Sequence, residues 1–303
     1  MKYTWIDRNK TQWPIALACE VLGASASGYF QNQRRKKSAA ANNITGLKRL
    51  SDEALLVQIR VIHAEVRQEY GYPRMTKELN ARGLRVGKER VRKLMQLNGI
   101  KAKGEKRFVH TNDSNHKLGF APDLVQRNFT PAEPNRVWSS DITYIATDEG
   151  WLFLAVVLDL FSKRVVGWSM SPKMETSLVA DALKMAWHMR HPDKGLIFHS
   201  DRGIQYCSEE FKRLADQYGM RRSMSRRANC WDNAPTEIFW GSLKVGRLYG
   251  QRFATRRDAM DEVIGRMSFY NFNRLRYSLG YVSPWSLKSN GMQTAKKWLP
   301  DGG

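Results

Sequence analysis

Cysteine is nearly missing. Three occur in 303 residues, at Cys19, Cys207 and Cys230, without CxxC spacing, so neither a disulfide framework nor a cysteine-based zinc site is indicated. The six histidines form no HExxH pattern. No apolar run approaches the roughly 20 residues a membrane-crossing helix needs, and no basic start leads into an apolar segment of secretory type. The expectation is a cytoplasmic chain with no membrane partner. No internal repeat is evident. Acid is scarce relative to base: 29 Asp plus Glu stand against 50 Lys plus Arg, a net charge of +21 with a pI near 10.1. A surplus of that size favours a polyanionic partner. It is uneven. Residues 1–130 carry 25 basic and 11 acidic side chains, a surplus of 14, whereas residues 131–303 carry 25 and 18, a surplus of 7. The N-terminal part is therefore expected to be the stronger phosphate binder.

What is present divides into a helical part and an alternating one. Trp13, Ile15, Ala16, Cys19 and Leu22 make a helical stripe, Gly23 a turn, and Ser25 or Ser27 the cap of a helix carrying Tyr29, the outline of a helix-turn-helix. Two helices packed together without DNA contact fit the same residues. A longer helix is expected over 51–70, then helices over 73–82 and 87–98. In the last of these Arg90, Arg92 and Lys93 stand beside apolar Val91, Leu94 and Met95, as in a helix that enters a DNA groove. Residues 101–134 hold Gly104, Gly119, Pro122, Pro131 and Pro134 with little periodicity and begin with Lys101, Lys103, Lys106 and Arg107, which reads as a basic linker or arm. The expected division is a helical DNA-binding region over 1–100, the arm over 101–134, an α/β unit with C-terminal helices over 135–290, and a tail over 291–303.

Within the α/β unit, Val137 to Tyr144 alternates like a half-buried strand and places Asp141 on the polar face; Trp151 to Leu160 is the continuous apolar run of a strand covered on both sides; Lys163 to Met170 follows as a third. A helix over 176–190 is expected, with Thr176 or Ser177 as its N-cap. A strand at Leu196–Phe198 delivers Asp201 at its C-terminal end, where ligand sites of α/β sheets lie. After another helix and a strand around 221–224, a helix opening at Pro235 carries Glu237, with Gly241 and Lys244 further along its face and Phe239 and Leu243 on another.

Asp201 and Glu237 have 35 residues between them, with Asp141 upstream. Three carboxylates in this order point to a two-metal phosphoryl-transfer site, because in-line displacement at a phosphodiester uses two hard cations to stabilise the attacking and leaving oxygens. Mg²⁺ prefers carboxylate oxygens. Singly, each acid is more often a solvated charge, and Glu237 sits where a first-turn Glu favours the helix dipole.

The blocks around these acids decide between the two. Trp138 to Tyr144, Gly150-Trp151-Leu152, Leu158-Asp159-Leu160-Phe161-Ser162, His199 to Tyr206, Ser223-Met224-Ser225-Arg226 and Asn229 to Pro235 resemble the signature blocks of bacterial insertion-sequence transposases of the DDE, retroviral-integrase type. Tyr70-Gly71-Tyr72-Pro73-Arg74 with Val91 and Leu94-Met95 is similar to the helix-turn-helix region of that family's second reading frame. Departures from the family's pattern fall at Ile204, Ala228 and Arg276-Tyr277, none of them a metal ligand.

The resemblance implies an RNase H-like α/β catalytic core behind all-α helix-turn-helix modules. It implies a site of two Mg²⁺ (or Mn²⁺) ions, with Asp141 shared and Asp201 and Glu237 holding one each. It implies cleavage at the element's ends and strand transfer, with double-stranded DNA, both terminal repeats and target, as partner. A homo-oligomer is expected, as is an upstream-frame helix-turn-helix protein or a frameshift fusion with it; no leucine zipper lies in this chain. Arg202, Arg226, Arg227 and Lys244 are the expected phosphate contacts in the core, and Asn229, Trp231 and Asn233 the loop that positions the last acid; Trp231 fits a core anchor equally well. A DNA-binding regulator with an inactive core and an RNase H-fold nuclease without strand transfer are the competing readings.

Overall fold

The alternation of Val137–Thr147 (β1) produces a strand, but one buried on both faces over most of its length. The half-buried expectation fails for a topological reason: β1 is central. In this computed structural model, which describes residues 2–44, 50–103, 119–226, 230–244, 248 and 250–290, the sheet has the order β3-β2-β1-β4-β5. Gly150–Asp159 (β2) and Arg164–Ser171 (β3) run antiparallel in a meander from β1; Ile197–Ser200 (β4) and Arg221–Met224 (β5) join parallel on its other side. This is the RNase H-like arrangement that the family resemblance implies.

Helices cover both faces. Thr176–Arg190 (α7), Ile204–Cys207 (α8) and Glu209–Gln217 (α9) close one face around Trp138, Ala155, Val157, Leu183, Phe198 and Phe211. Residues 176–190 do form the helix expected there, although its N-cap is Glu175, which makes no side-chain capping bond. Gly167 on β3 permits the approach of α7: a Cβ there would lie 2.3 Å from the Ala182 carbonyl oxygen. Ala234–Leu243 (α10) and Arg256–Phe272 (α11) close the other face around Leu154, Val156, Phe239, Trp240, Val263 and Tyr270. Thr255 caps α11 through a reciprocal pair with Asp258. Pro284–Asn290 (α12) packs against α11.

The N-terminal part is all helix. Lys2–Asn9 (α1), Ile15–Val21 (α2) and Ala26–Ile44 (α3) share a small core of Ile6, Ala18, Cys19 and Tyr29. Asp52–Glu65 (α4), Tyr72–Ala81 (α5) and Lys88–Leu97 (α6) share a larger one built on Leu55, Ile59, Met75, Leu79 and Val91. α4 stops at Glu65 rather than 70, and Arg67 and Gln68 take positive φ in the turn that follows. This second unit docks on α11 and the residues after it. Phe269 and Leu275 pack against its core, Tyr70 donates to the Asn273 carbonyl at 3.1 Å, and buried Glu69 pairs with Arg266 and Arg274. Of the expected basic arm, residues 104–118 lie outside the described residues, as does the tail from 291. Residues 119–136 run along the core, where Ser223 accepts from the Leu124 N–H at 2.9 Å and Val125 packs with Val137 and Leu160.

Candidate active site

The polar side of β1 carries Ser139, Asp141 and Thr143, and all three point into the layer formed with α10. Asp141 is buried, at 3% exposure. Its carboxylate accepts from the Ile142 N–H at 2.8 Å and from the Trp240 indole N–H at 2.9 Å, and Trp240 lies one turn beyond Glu237 on α10. Asp201 follows β4 directly, half-buried, and accepts from the Gly203 N–H at 3.0 Å, a tight turn that precedes α8. Glu237 is half-buried in the first turn of α10, with Pro235 fixing the start of that helix. Thus β1, β4 and α10 each contribute one acid to one region of the molecule.

Electrostatics shows that they interact. Burial, then the charge of Asp201 and more weakly that of Glu237, push the pKa of Asp141 up to about 8, against the two hydrogen bonds that favour its charged form. Lys244, at the C-terminal end of α10, is buried with its ammonium 5.2 Å from the Tyr144 ring centre. Desolvation lowers its pKa to about 8 while the Asp141 charge raises it. Lys244 therefore lies near Asp141, buried where the helical period alone leaves its exposure open. Gly241 does offer the expected clearance, since a Cβ there would meet nothing within 4 Å. Among the described residues no three His, Cys, Asp or Glu side chains are already gathered as a metal cage. Crowded carboxylates whose repulsion makes one hard to ionise are nonetheless a donor set suited to hard divalent cations.

The loop leading to α10 is bolted to the sheet. Asp232, at 1% exposure, receives both Arg226 (2.9 and 3.0 Å) and Arg127 (2.9 Å), which hold its pKa far below the usual carboxylate range. His199 bridges the Ser223 hydroxyl and the Asp232 carbonyl, both at 2.9 Å, and burial lowers its pKa. The Ser139 hydroxyl donates to Asn233 at 2.7 Å. That bond ties the residue before α10 to β1, while the Arg226 guanidinium is engaged by Asp232. Arg202 donates to the Ser225 carbonyl at 2.9 Å and lies over Phe120. Arg227 and Asn229 lie outside the described residues; Trp231 falls in a 3₁₀ turn, Cys230–Asn233. In α6, Arg90 binds Asp52 at 2.7 Å and the Leu50 carbonyl at 2.6 Å, Arg92 binds Glu89 at 2.8 Å, and Lys93 is exposed.

Sequence reasoning missed Trp240 and Asp232. An apolar helix face makes Trp240 look like core, and only the three-dimensional pairing shows its N–H on Asp141. The Asp232-Asn233 pair looked like turn chemistry, which it also is. No described helix is long and apolar enough to cross a membrane.

Comparison with known proteins agrees with the geometry. The Integrase core domain family matches residues 131–230, and the HTH-like domain family matches residues 50–108. The chain is 38% identical to the "Insertion element IS600 uncharacterized 31 kDa protein" of Shigella sonnei over 91% of its length and 99% of that protein's. It is 36% identical to the "Transposase InsF for insertion sequence IS3A" of Escherichia coli (strain K12), over 94% of its length and 95% of that protein's. With near-complete coverage in both directions and both domain families in place, the chain belongs to the insertion-sequence transposases with an integrase core.

Proposed function

We propose that Asp141, Asp201 and Glu237 are the metal-binding acids of a DNA transposase that cleaves at the ends of its element and joins them to target DNA. The observation that carries this reading is the convergence of a buried Asp141 on β1 with Asp201 after β4 and Glu237 in the first turn of α10, near enough that, after burial itself, their charges raise the Asp141 pKa. An acid placed so is compensated by cations and by little else. Two Mg²⁺ or Mn²⁺ ions, when bound, supply charge stabilisation at the attacking and leaving phosphodiester oxygens. The chain's own residues do the rest. Trp240 and the Ile142 N–H fix the orientation of the Asp141 carboxylate, Ser139 and Asn233 fix the start of α10, and Lys244 places a cation beside the acids. Water attacks first, releasing a 3′-OH at the element end; that hydroxyl then attacks a second phosphodiester. The region over 1–100 holds the DNA, with Arg92 and Lys93 of α6 and Arg202 of the core on phosphates. Arg227, Asn229 and Trp231, close before α10 in the sequence, are further DNA contacts in this reading. The working form is a homo-oligomer on the nucleoid, alone or with an upstream-frame helix-turn-helix protein fused or bound.

A strand-transfer assay on DNA carrying the element's own ends tests the reading. Asp141→Asn, Asp201→Asn and Glu237→Gln are each expected to abolish cleavage and joining with Mg²⁺ while DNA binding persists. Near-normal joining by any one of them removes that residue from the metal site. A parent that binds DNA but never cleaves is a regulator, and one that cleaves without joining is a nuclease.

A further inference from the structure

The HTH-like family match covers α4 to α6 and stops short of α1 to α3, yet the first three helices have the tighter helix-turn-helix form. Four residues, 22–25, separate α2 from α3, and Gly23 takes φ +54° in that turn, a left-handed conformation that glycine adopts without penalty. The turn is closed by the Ala24 N–H on the Cys19 carbonyl at 2.8 Å. Tyr29 of α3, at 2% exposure, packs with Ile6, Ala18 and Cys19 and fixes how α3 leaves the unit. The helical period then places Ser27, Phe30, Gln31 and Arg34 together on the side away from Tyr29. Ser27, Gln31 and Arg34 are exposed there, and Phe30 is 53% exposed.

Those four side chains are the chemistry of direct base readout: a guanidinium for guanine, a carboxamide for adenine, a hydroxyl for either, and an apolar surface for a thymine methyl. The contrast with α6 is specific. Arg90 and Arg92 of α6 are tethered to Asp52, Leu50, Glu89 and Gln96, so neither presents a whole guanidinium edge. Among the described residues Arg34 and Arg35 meet no acid. Charge complementarity favours DNA over a protein partner at this face, since residues 1–50 carry nine basic and two acidic side chains. We infer that the Ser27, Phe30, Gln31 and Arg34 face of α3 enters the major groove and reads bases, while α6 grips the backbone. The inference rests on the DNA-acting reading above and assigns its sequence preference to a module that the matched family model does not cover.

The test uses the full chain with Gln31→Ala and Arg34→Ala, checked for parental melting, against a duplex carrying the element's terminal repeat and a scrambled duplex of equal length. Each variant is expected to lower the preference for the terminal duplex by roughly 5- to 150-fold, with scrambled-duplex affinity falling far less. A parent that prefers the terminal duplex, with both variants retaining that preference, overturns the inference and leaves the DNA-acting reading intact. The same holds if the variants change only the sedimentation of the protein, which would mark the face, beside exposed Trp13, Leu17 and Val21, as a protein interface. A parent that binds neither duplex sinks both.

Discussion

The α/β core and the helical N-terminal units treat charge in opposite ways. The core buries carboxylates: Asp141, Asp159 and Asp232 are all at 3% exposure or less. Two of these are satisfied. Asp159 accepts from the Asn135 N–H and the Ser162 N–H and hydroxyl beside Arg190, and Asp232 is gripped by two arginines. Asp141 instead has two N–H donors and other acids for company. In the helical units the pairs lie mostly at the surface, as with Arg82 between Glu65 and Glu78, where solvent screens them and each adds little. A buried acid with matched cations is architecture; a buried acid crowded by like charge is a site. Surface cations, by contrast, act through a salt-dependent field.

The difference breaks most sharply at Asp141. Asp141→Asn is expected to abolish joining and at the same time to stabilise the metal-free protein at neutral and alkaline pH. The sign follows from linkage: with its folded pKa raised to about 8, the Asp141 carboxyl makes stability fall as pH rises from about 4, levelling off above about 8. Asp232, whose pKa is held low, acts in a separate window and loses its contribution only as pH falls below the ordinary carboxylate range. Urea unfolding of both proteins in chelator from pH 4 to 9 checks this. Parallel curves for parent and variant would show that Asp141 is not strained.

Next in size is the seam between the two regions. Arg266 is fully buried, pairs with Glu69 of the helical unit and donates to the Ser242 carbonyl of α10 at 2.7 Å, so α10 and the helical unit share one guanidinium. Glu69→Ala leaves that charge uncompensated and is expected to destabilise the protein by about 3–5 kcal/mol. It should also uncouple the unfolding of the two regions, read as a second transition in calorimetry. A single, unshifted transition would make the seam incidental. Trp240→Phe, which keeps the ring and removes one hydrogen bond to the buried Asp141 carboxyl, is expected to lose about 1–3 kcal/mol, the cost of an unsatisfied buried acceptor, and to weaken Mn²⁺ binding measured by titration. Lost stability with unchanged Mn²⁺ affinity would reduce Trp240 to packing.

Much of this was legible beforehand for particular reasons. The order of strands and helices followed from changes of period, and Asp201 could be placed because it ends a short apolar strand. Asp141 could be found but not its burial, since alternation reports one strand's faces and not whether a neighbouring helix covers the polar one. Lys244 shows the same limit: the period gives its side of α10, whereas its burial depends on packing beside Tyr144 of β1. The pairing of Glu69 with Arg266 spans nearly 200 positions and leaves no local pattern.

The smallest effect sharpens the surface side of the comparison, within α6 itself. Arg90, Arg92 and Lys93 look equivalent as a basic run, yet Arg90 is tied to the start of α4 and Lys93 faces solvent. Lys93→Ala should remove a phosphate contact and flatten the slope of log affinity against log salt by roughly 0.9, with melting unchanged. Arg90→Ala should lower the melting temperature and leave that slope nearly as it was, because its charge already serves Asp52. Affinity at four salt concentrations, with melting curves alongside, separates the two. If both variants shift the slope equally, the tether to Asp52 opens on DNA and α6 presents its whole basic face after all; if neither does, the backbone contacts lie elsewhere, with the basic residues of α3 and the core the next to be changed.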